Sequence, residues 1–250
     1  MAKSVRQIMR VVIEGANPML SMIALDADDT LWHNETHYLE ANIKLKQLLK
    51  DYQSLEQIAQ KLGEMETRNI RHYGYGIKSY ILSMIEAAIE LTDGQIHGSE
   101  IRKIIELGQE MLSAEVSLFE HTEETLANLA SQHDLMLITK GDLLEQGNKL
   151  ERSGLKKYFR HVEIVQEKTP QDYRRLLERY GISLDQFLMV GNSLKSDILP
   201  VIEIGGRAVY IPYQHTWAHE NAVEGETPDH LYYEIAHLGQ LPDLITELDR

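Results

Sequence analysis

Five short apolar runs, each closed by a turn signal and separated by helical periodicity, restrict the fold of this 250-residue chain more than any other feature. They are Met22–Leu25, Leu135–Ile138, His161–Val165, Phe187–Val190 and Ala208–Ile211. Each is too short for a buried helix and reads as a buried strand. Helical patterns fall between the later runs, over Thr122–Ser131, Asp142–Arg152, Thr169–Tyr180 and Ser196–Ile204. Asp142 and Glu145 have capping-box spacing, Thr169-Pro170 suits an N-cap and first-turn pair, and Gly205-Gly206 stops the last helix. Alternating strands and helices imply an α/β fold: a doubly wound, mostly parallel, Rossmann-like sheet covered on both faces.

The stretch between the first two runs departs from this rhythm. Tyr38–Asp51, Leu55–Arg71, Ile77–Leu91 and Ser99–Ser113 are helical in pattern, punctuated by Tyr73-Gly74-Tyr75-Gly76 and Thr92-Asp93-Gly94. The pattern predicts an inserted α-helical cap domain of roughly 80 residues. The expected division is an N-terminal extension over 1–19, a core made of 20–35 and 119–250, and a cap over 36–118. In the extension, Glu14 ends the apolar run Val11-Val12-Ile13 too early for a secretory signal.

In an open parallel sheet, ligands sit beyond the carboxyl ends of the strands. Asp26, Asp28, Asp29 and Thr30 follow the first run here, Thr139-Lys140-Gly141-Asp142 the second, Lys168 the third, and Gly191-Asn192-Ser193 with Asp197 the fourth. Three aspartates in four positions repel one another unless solvent or a cation compensates them. Hard oxygen donors in a small cluster suit magnesium, which binds one or two carboxylates together with a phosphate.

Composition narrows the partners. With 25 basic and 39 acidic residues the formal charge is −14, so a polyanion such as DNA is repelled over most of the surface, whereas a small phosphate meets a local lysine cluster. The absence of cysteine excludes thiolate chemistry and fits a reducing, cytoplasmic setting. No apolar run reaches membrane-spanning length, so no membrane partner is expected.

With these motifs in place, the chain resembles the haloacid dehalogenase-like (HAD) hydrolase superfamily, in its phosphatase branch with a helical cap between the first and second motifs. The motifs stand in order as Asp26-Ala27-Asp28-Asp29-Thr30-Leu31, Thr139, Lys168, and Gly191-Asn192-Ser193-Leu194-Lys195-Ser196-Asp197. The resemblance implies that Asp26 is a nucleophile forming an aspartyl phosphate, and that Asp28 protonates the leaving oxygen and then activates water. It implies that Thr139, Lys140 and Lys168 bind the phosphoryl group. Mg²⁺ is implied as cofactor, held by Asp26, Asp28 through its backbone carbonyl, and Asn192, with Asp197 in support. Asp29 stands where many members have glycine, and Asn192 where phosphatases usually have aspartate.

The activity that follows is a magnesium-dependent phosphomonoesterase of a small phosphorylated metabolite, a nucleotide or sugar phosphate. A haloacid dehalogenase and a sugar-phosphate mutase are the alternatives within the family, and a phosphate-ligand sensor on a degraded scaffold is the non-enzymatic one. His33, after the first motif, and Arg71, Tyr75 and Lys78, around the glycine-punctuated turn, are the candidate substrate contacts. Trp32 reads as a packing residue, and the sequence carries no signal of oligomeric state.

Overall fold

The computed structural model of the chain describes residues 19–215 and 232–249. The expected N-terminal extension, Met19 apart, lies outside the described residues. Six strands build the sheet: β1 Met22–Leu25, β2 Asp134–Lys140, β3 His161–Val165, β4 Phe187–Gly191, β5 Arg207–Tyr210 and β6 Tyr233–Glu234. Their spatial order is β3-β2-β1-β4-β5-β6, and every pairing between these strands is parallel. β1 therefore sits between β2 and β4, with Leu25 in register with Leu137 and Val190. The chain reverses its direction of winding at β1, which places a crevice beyond that strand's carboxyl end.

Alternation along β1 shows why the sheet needs two layers of helices. Ile23 and Leu25 pack into a core with Leu126 and Leu129 of α5 (Thr122–Ala130), Leu150 of α6 (Leu143–Ser153) and Leu241 and Ile245 of α9 (Leu241–Leu248). Met22 and Ala24 face the opposite way, toward Tyr173 and Leu177 of α7 (Pro170–Tyr180) and Val201 of α8 (Leu199–Glu203). Each fully buried leucine contributes roughly 2 kcal/mol of apolar burial, so a one-residue slip of β1 would be heavily opposed. Thr169 and Asp172 close the start of α7 as a capping box.

Four further helices, α1 Glu35–Leu49, α2 Leu55–Tyr73, α3 Ile77–Leu91 and α4 Gly98–Ser113, enclose a separate core that includes Leu45, Ile58, Met84 and Ile104. The chain enters and leaves this helical unit side by side. The His33 amide donates to the Ser117 carbonyl at 2.9 Å, and the Phe119 amide to the Leu31 carbonyl at 3.0 Å. No helix of the described residues is long and apolar enough to cross a membrane.

Two local expectations are corrected. The helix expected over Ser196–Ile204 begins earlier, with a π-helical turn over Leu194–Ile198 that runs into α8. Asp142 does cap α6, accepting from the Leu144 and Glu145 amides, but Glu145 does not complete a capping box. Its Oε2 instead accepts from the Ile77 amide at 2.8 Å, tying the first turn of α3 to the core.

Candidate active site

The centre of the site is a lysine shared by two buried carboxylates. Asp26 follows β1 directly, and its amide donates to the Val190 carbonyl at 2.9 Å, which fixes it at the strand end. Lys168, ahead of α7, reaches across to place Nζ 2.5 Å from Asp26 Oδ1 and 2.7 Å from Asp197 Oδ1. All three residues are buried. Asp197 is brought in by the π-helical turn, and Gly191 makes room for it. A Cβ at Gly191 would lie 2.3 Å from Asp197 Oδ2, so a side chain there would expel the carboxylate. Asp197 Oδ2 also accepts from the Ser193 amide at 3.0 Å.

Charge does not close around this group. Burial opposes the charge on Lys168, but Asp197 and Asp26 outweigh it and hold the ammonium above the ordinary lysine value. Burial pushes Asp197 up to about 7 in spite of Lys168. Burial is also the largest influence on Asp26, raising it against the pull of Lys168. Two carboxylates thus share one ammonium in a region from which water is largely excluded.

That deficit bears on a divalent cation. Among the described residues no three His, Cys, Asp or Glu side chains converge as a metal set. The oxygens that do converge are a carboxylate and an amide. Thr30 Oγ1 lies 3.0 Å from Asp26 Oδ2 and 3.2 Å from Asn192 Oδ1, and it accepts from the Asn192 amide at 3.2 Å. One carboxylate and one neutral oxygen, in an under-compensated pocket, fit magnesium, which retains several waters and takes few protein ligands. Asp197, expected to support the metal, accepts from Lys168 Nζ through Oδ1 and from the Ser193 amide through Oδ2, and so holds the lysine beside Asp26.

Asp28 lies on the other side of Ala27 and lines the same cavity. Three side chains converge on its carboxylate. Trp32 Nε1 donates to Oδ1 at 2.6 Å, Gln146 Nε2 to Oδ2 at 2.7 Å, and Lys149 Nζ to both oxygens at 2.9 Å. With the side chain so engaged, only the Asp28 backbone carbonyl is left as a ligand of the kind the resemblance implies. Asp29 turns the other way, accepting from the Asn34 and Glu35 amides. Its φ of +60° explains why glycine suits this position and why aspartate can replace it. Burial pushes its carboxyl up to about 7.

The cavity that joins these groups has a volume of about 190 Å³. Asp26, Asp28, Thr139, Lys140, Lys168 and Asn192 all line it. Lys140 Nζ donates to Ser196 Oγ at 2.8 Å and lies 4.7 Å from the centroid of the Tyr75 ring. The helical unit supplies the roof. Of its expected contacts only Tyr75 lines the cavity, and its hydroxyl donates to Glu167 at 2.9 Å.

The other three expected contacts are elsewhere. Lys78 is exposed and pairs with Asp142 at 2.7 Å, strapping α3 to the core. Arg71 is exposed on α2 and absent from the lining. His33 packs on Phe119, ring centroids 4.0 Å apart, where the chain enters and leaves the helical unit. The misplacements of Arg71 and Lys78 share a cause: sequence spacing puts a residue on a helix but does not say which way that helix turns.

Sequence reasoning put Thr30 on the rim without a role and read Trp32 as packing alone, and it missed Gln146 and Lys149 as well as two cavity-lining glutamates, Glu35 and Glu66. Gln146 and Lys149 carried a faint signal, since three-residue spacing puts both on one face of the helix that starts beside the second motif. Glu66 carried none. Burial pushes it up to about 7, and burial together with Asp29 and Glu66 pushes Glu35 up to about 8.

Comparison with known proteins places this arrangement. A family model described as haloacid dehalogenase-like hydrolase matches residues 20–205. The crystal structure of a haloacid dehalogenase-like family hydrolase from Xanthomonas campestris is 36% identical and superposes with a TM-score of 0.81, over 93% of this chain and 97% of that one. A 2-haloacid dehalogenase from Pseudomonas syringae shares the fold at 21% identity and a TM-score of 0.61, over 92% of this chain and 99% of that one. A glyceraldehyde 3-phosphate phosphatase from Pyrococcus furiosus is 28% identical over 119 residues, which are 46% of this chain and 47% of the relative. The chain thus spans about half the length of the curated relatives it matches.

Proposed function

The chain belongs to the haloacid dehalogenase-like hydrolase family, and on that premise we propose that it is a phosphomonoesterase acting on a small phosphorylated metabolite. The observation that carries the reading is that Asp26 and Asp28 line one cavity together with Thr139 and Lys168. A nucleophilic carboxylate, a second carboxylate for proton transfer and a phosphate-binding cation are the parts this hydrolysis needs. A dehalogenase attacking carbon has no leaving alkoxide to protonate, and so no use for Asp28.

In the proposed reaction an oxygen of Asp26 attacks phosphorus and the ester P–O bond breaks. Asp28 enters this step protonated and gives that proton to the departing alkoxide. It then takes one from a water that attacks the aspartyl phosphate, releasing phosphate and restoring Asp26. Lys168 lowers the repulsion between Asp26 and the incoming dianion, which is the main obstacle to the first step. Thr139 and Lys140 orient the phosphoryl oxygens. Asp26 and Asn192 would hold a magnesium ion, which supplies positive charge to the phosphoryl group when bound. For proton transfer, Asp28 must exchange one bond from Lys149, Gln146 or Trp32 for the substrate oxygen.

Turnover of p-nitrophenyl phosphate tests the reading, with magnesium, with EDTA, and in Asp26→Asn. Metal-dependent phosphate release that disappears in the variant is expected. Halide release from 2-chloropropionate without metal, and no phosphate release, would replace the phosphatase with a dehalogenase.

A further inference from the structure

The cap half of the cavity carries charge that phosphate chemistry does not explain. Seven carboxylate residues line the cavity against two lysines, Lys140 and Lys168. Both lysines belong to the sheet side, one on β2 and the other bound to Asp26. The lining residues from the cap include no basic side chain among the described residues. They do include Glu35, the first residue of α1, and Glu66, on α2. Among the described residues neither carboxylate has a hydrogen bond or ion pair. Burial alone acts on Glu66, and only burial and other carboxylates act on Glu35.

A third acceptor, from a different element, is also unmet. Gln146 is 3% exposed and lines the same cavity. Its Nε2 donates to Asp28 Oδ2 at 2.7 Å and to the Lys140 carbonyl at 3.0 Å. Because both partners only accept, the amide cannot be flipped, and Oε1 is left buried without a partner. A buried acceptor without a donor is costly, and this one marks the wall beneath the cap as short of donors. Tyr38 and Tyr80, ring centroids 4.8 Å apart, also line the cavity, and aromatic walls favour a cation.

These observations separate the classes of alcohol that could leave. A carboxylate or second phosphate on the alcohol would find no basic partner there and would hold the two glutamates protonated. A neutral polyol would meet the acceptors but bring no charge that lets Glu35 and Glu66 ionise. An ammonium brings up to three N–H donors and a positive charge. We infer that the cap half of the cavity receives an ammonium group on the alcohol portion of the phosphate ester, with Glu35 and Glu66 as its acceptors and Tyr38 and Tyr80 as its walls. This inference rests on the phosphomonoesterase reading and narrows it to aminated esters.

Two matched triads test it on the full chain with magnesium: glucosamine 6-phosphate, glucose 6-phosphate and 6-phosphogluconate, then 2-aminoethyl phosphate, ethyl phosphate and phosphoglycolate. In each, the aminated ester is expected to have the highest kcat/KM, by about tenfold over the neutral one, and the carboxylate the lowest. In Glu35→Gln and Glu66→Gln the ratio of aminated to neutral ester falls toward one. Equal or lower kcat/KM for both aminated esters, with p-nitrophenyl phosphate still hydrolysed, overturns the inference and leaves the phosphatase reading standing. If no ester is hydrolysed at all, that reading fails, and calorimetry on Asp26→Asn decides the ammonium site. Tighter binding of glucosamine 6-phosphate than of glucose 6-phosphate supports the site, and equal affinity overturns it.

Discussion

The ammonium of Lys168 lies 2.5 Å from Oδ1 of Asp26, although 142 positions separate the two in sequence. The parallel sheet makes this meeting possible by delivering the ends of its strands to one rim. Lys168→Met removes the cation that offsets repulsion between Asp26 and a phosphate dianion. We expect kcat to fall by about 10²–10³-fold. The variant also leaves Asp26 and Asp197 buried without their partner, at about 3–5 kcal/mol. A thermal melt should therefore show a lower Tm, and an unchanged Tm would mean that the pair is not buried as described.

The neutral oxygen of Asn192 sets the expected cation dependence. Asn192→Asp adds a charge to a set in which Thr30 joins Asp26 Oδ2 and Asn192 Oδ1. The magnesium concentration for half-maximal activity should fall by about tenfold, since ligand charge is a main control of affinity. A titration of activity against magnesium gives this value directly, and an identical midpoint in the variant would remove Asn192 from the cation's surroundings.

Lys149 is expected to matter through Asp28 rather than through phosphate. It donates to both Asp28 oxygens and to Asn34 Oδ1, all at 2.9 Å. In Lys149→Met the carboxylate loses its anchor and proton delivery to the leaving oxygen suffers. Esters with poor alkoxide leaving groups should lose about 10²-fold in kcat, whereas p-nitrophenyl phosphate, which hardly needs the proton, should lose far less. Equal losses for both kinds of ester would make Lys149 a merely structural residue.

Glu66 should leave a mark on stability against pH. Its carboxyl is pushed up to about 7 by burial, so the folded chain keeps a proton that the unfolded chain gives up at lower pH. Stability from this group is fullest below the ordinary glutamate range and declines as pH rises toward about 7. Glu66→Gln cannot ionise and escapes that decline. Its Tm should match that of the parent chain in acid and exceed it at neutral pH. A Tm difference that does not change with pH would contradict the described burial.

The fold was legible because period and punctuation suffice for it. The β1 and β3 bounds, the Thr169-Pro170 start of α7 and the span of α3 follow from apolar run length and capping chemistry. β6 was not legible, since a two-residue strand has no period. The rim residues Asp26, Thr139, Lys168 and Asn192 were legible because each lies at or just beyond the carboxyl end of a strand, and parallel strands end together. What the cap contributes was not. Arg71 and Lys78 looked chemically suitable, but the helices that carry them turn those side chains to solvent and to Asp142. Glu145 was legible as a helix-start residue but not as the acceptor for the Ile77 amide, because that bond depends on how the cap docks.

The central claim is that Asp26 itself takes up the phosphoryl group. Acid quenching of the enzyme during turnover of p-nitrophenyl phosphate, followed by mass spectrometry of its peptides, tests this most directly. The account predicts a phosphoryl adduct on the peptide that carries Asp26, formed only with magnesium and absent from Asp26→Asn. Phosphate release at the parental rate by Asp26→Asn, with no adduct on any peptide, would contradict it.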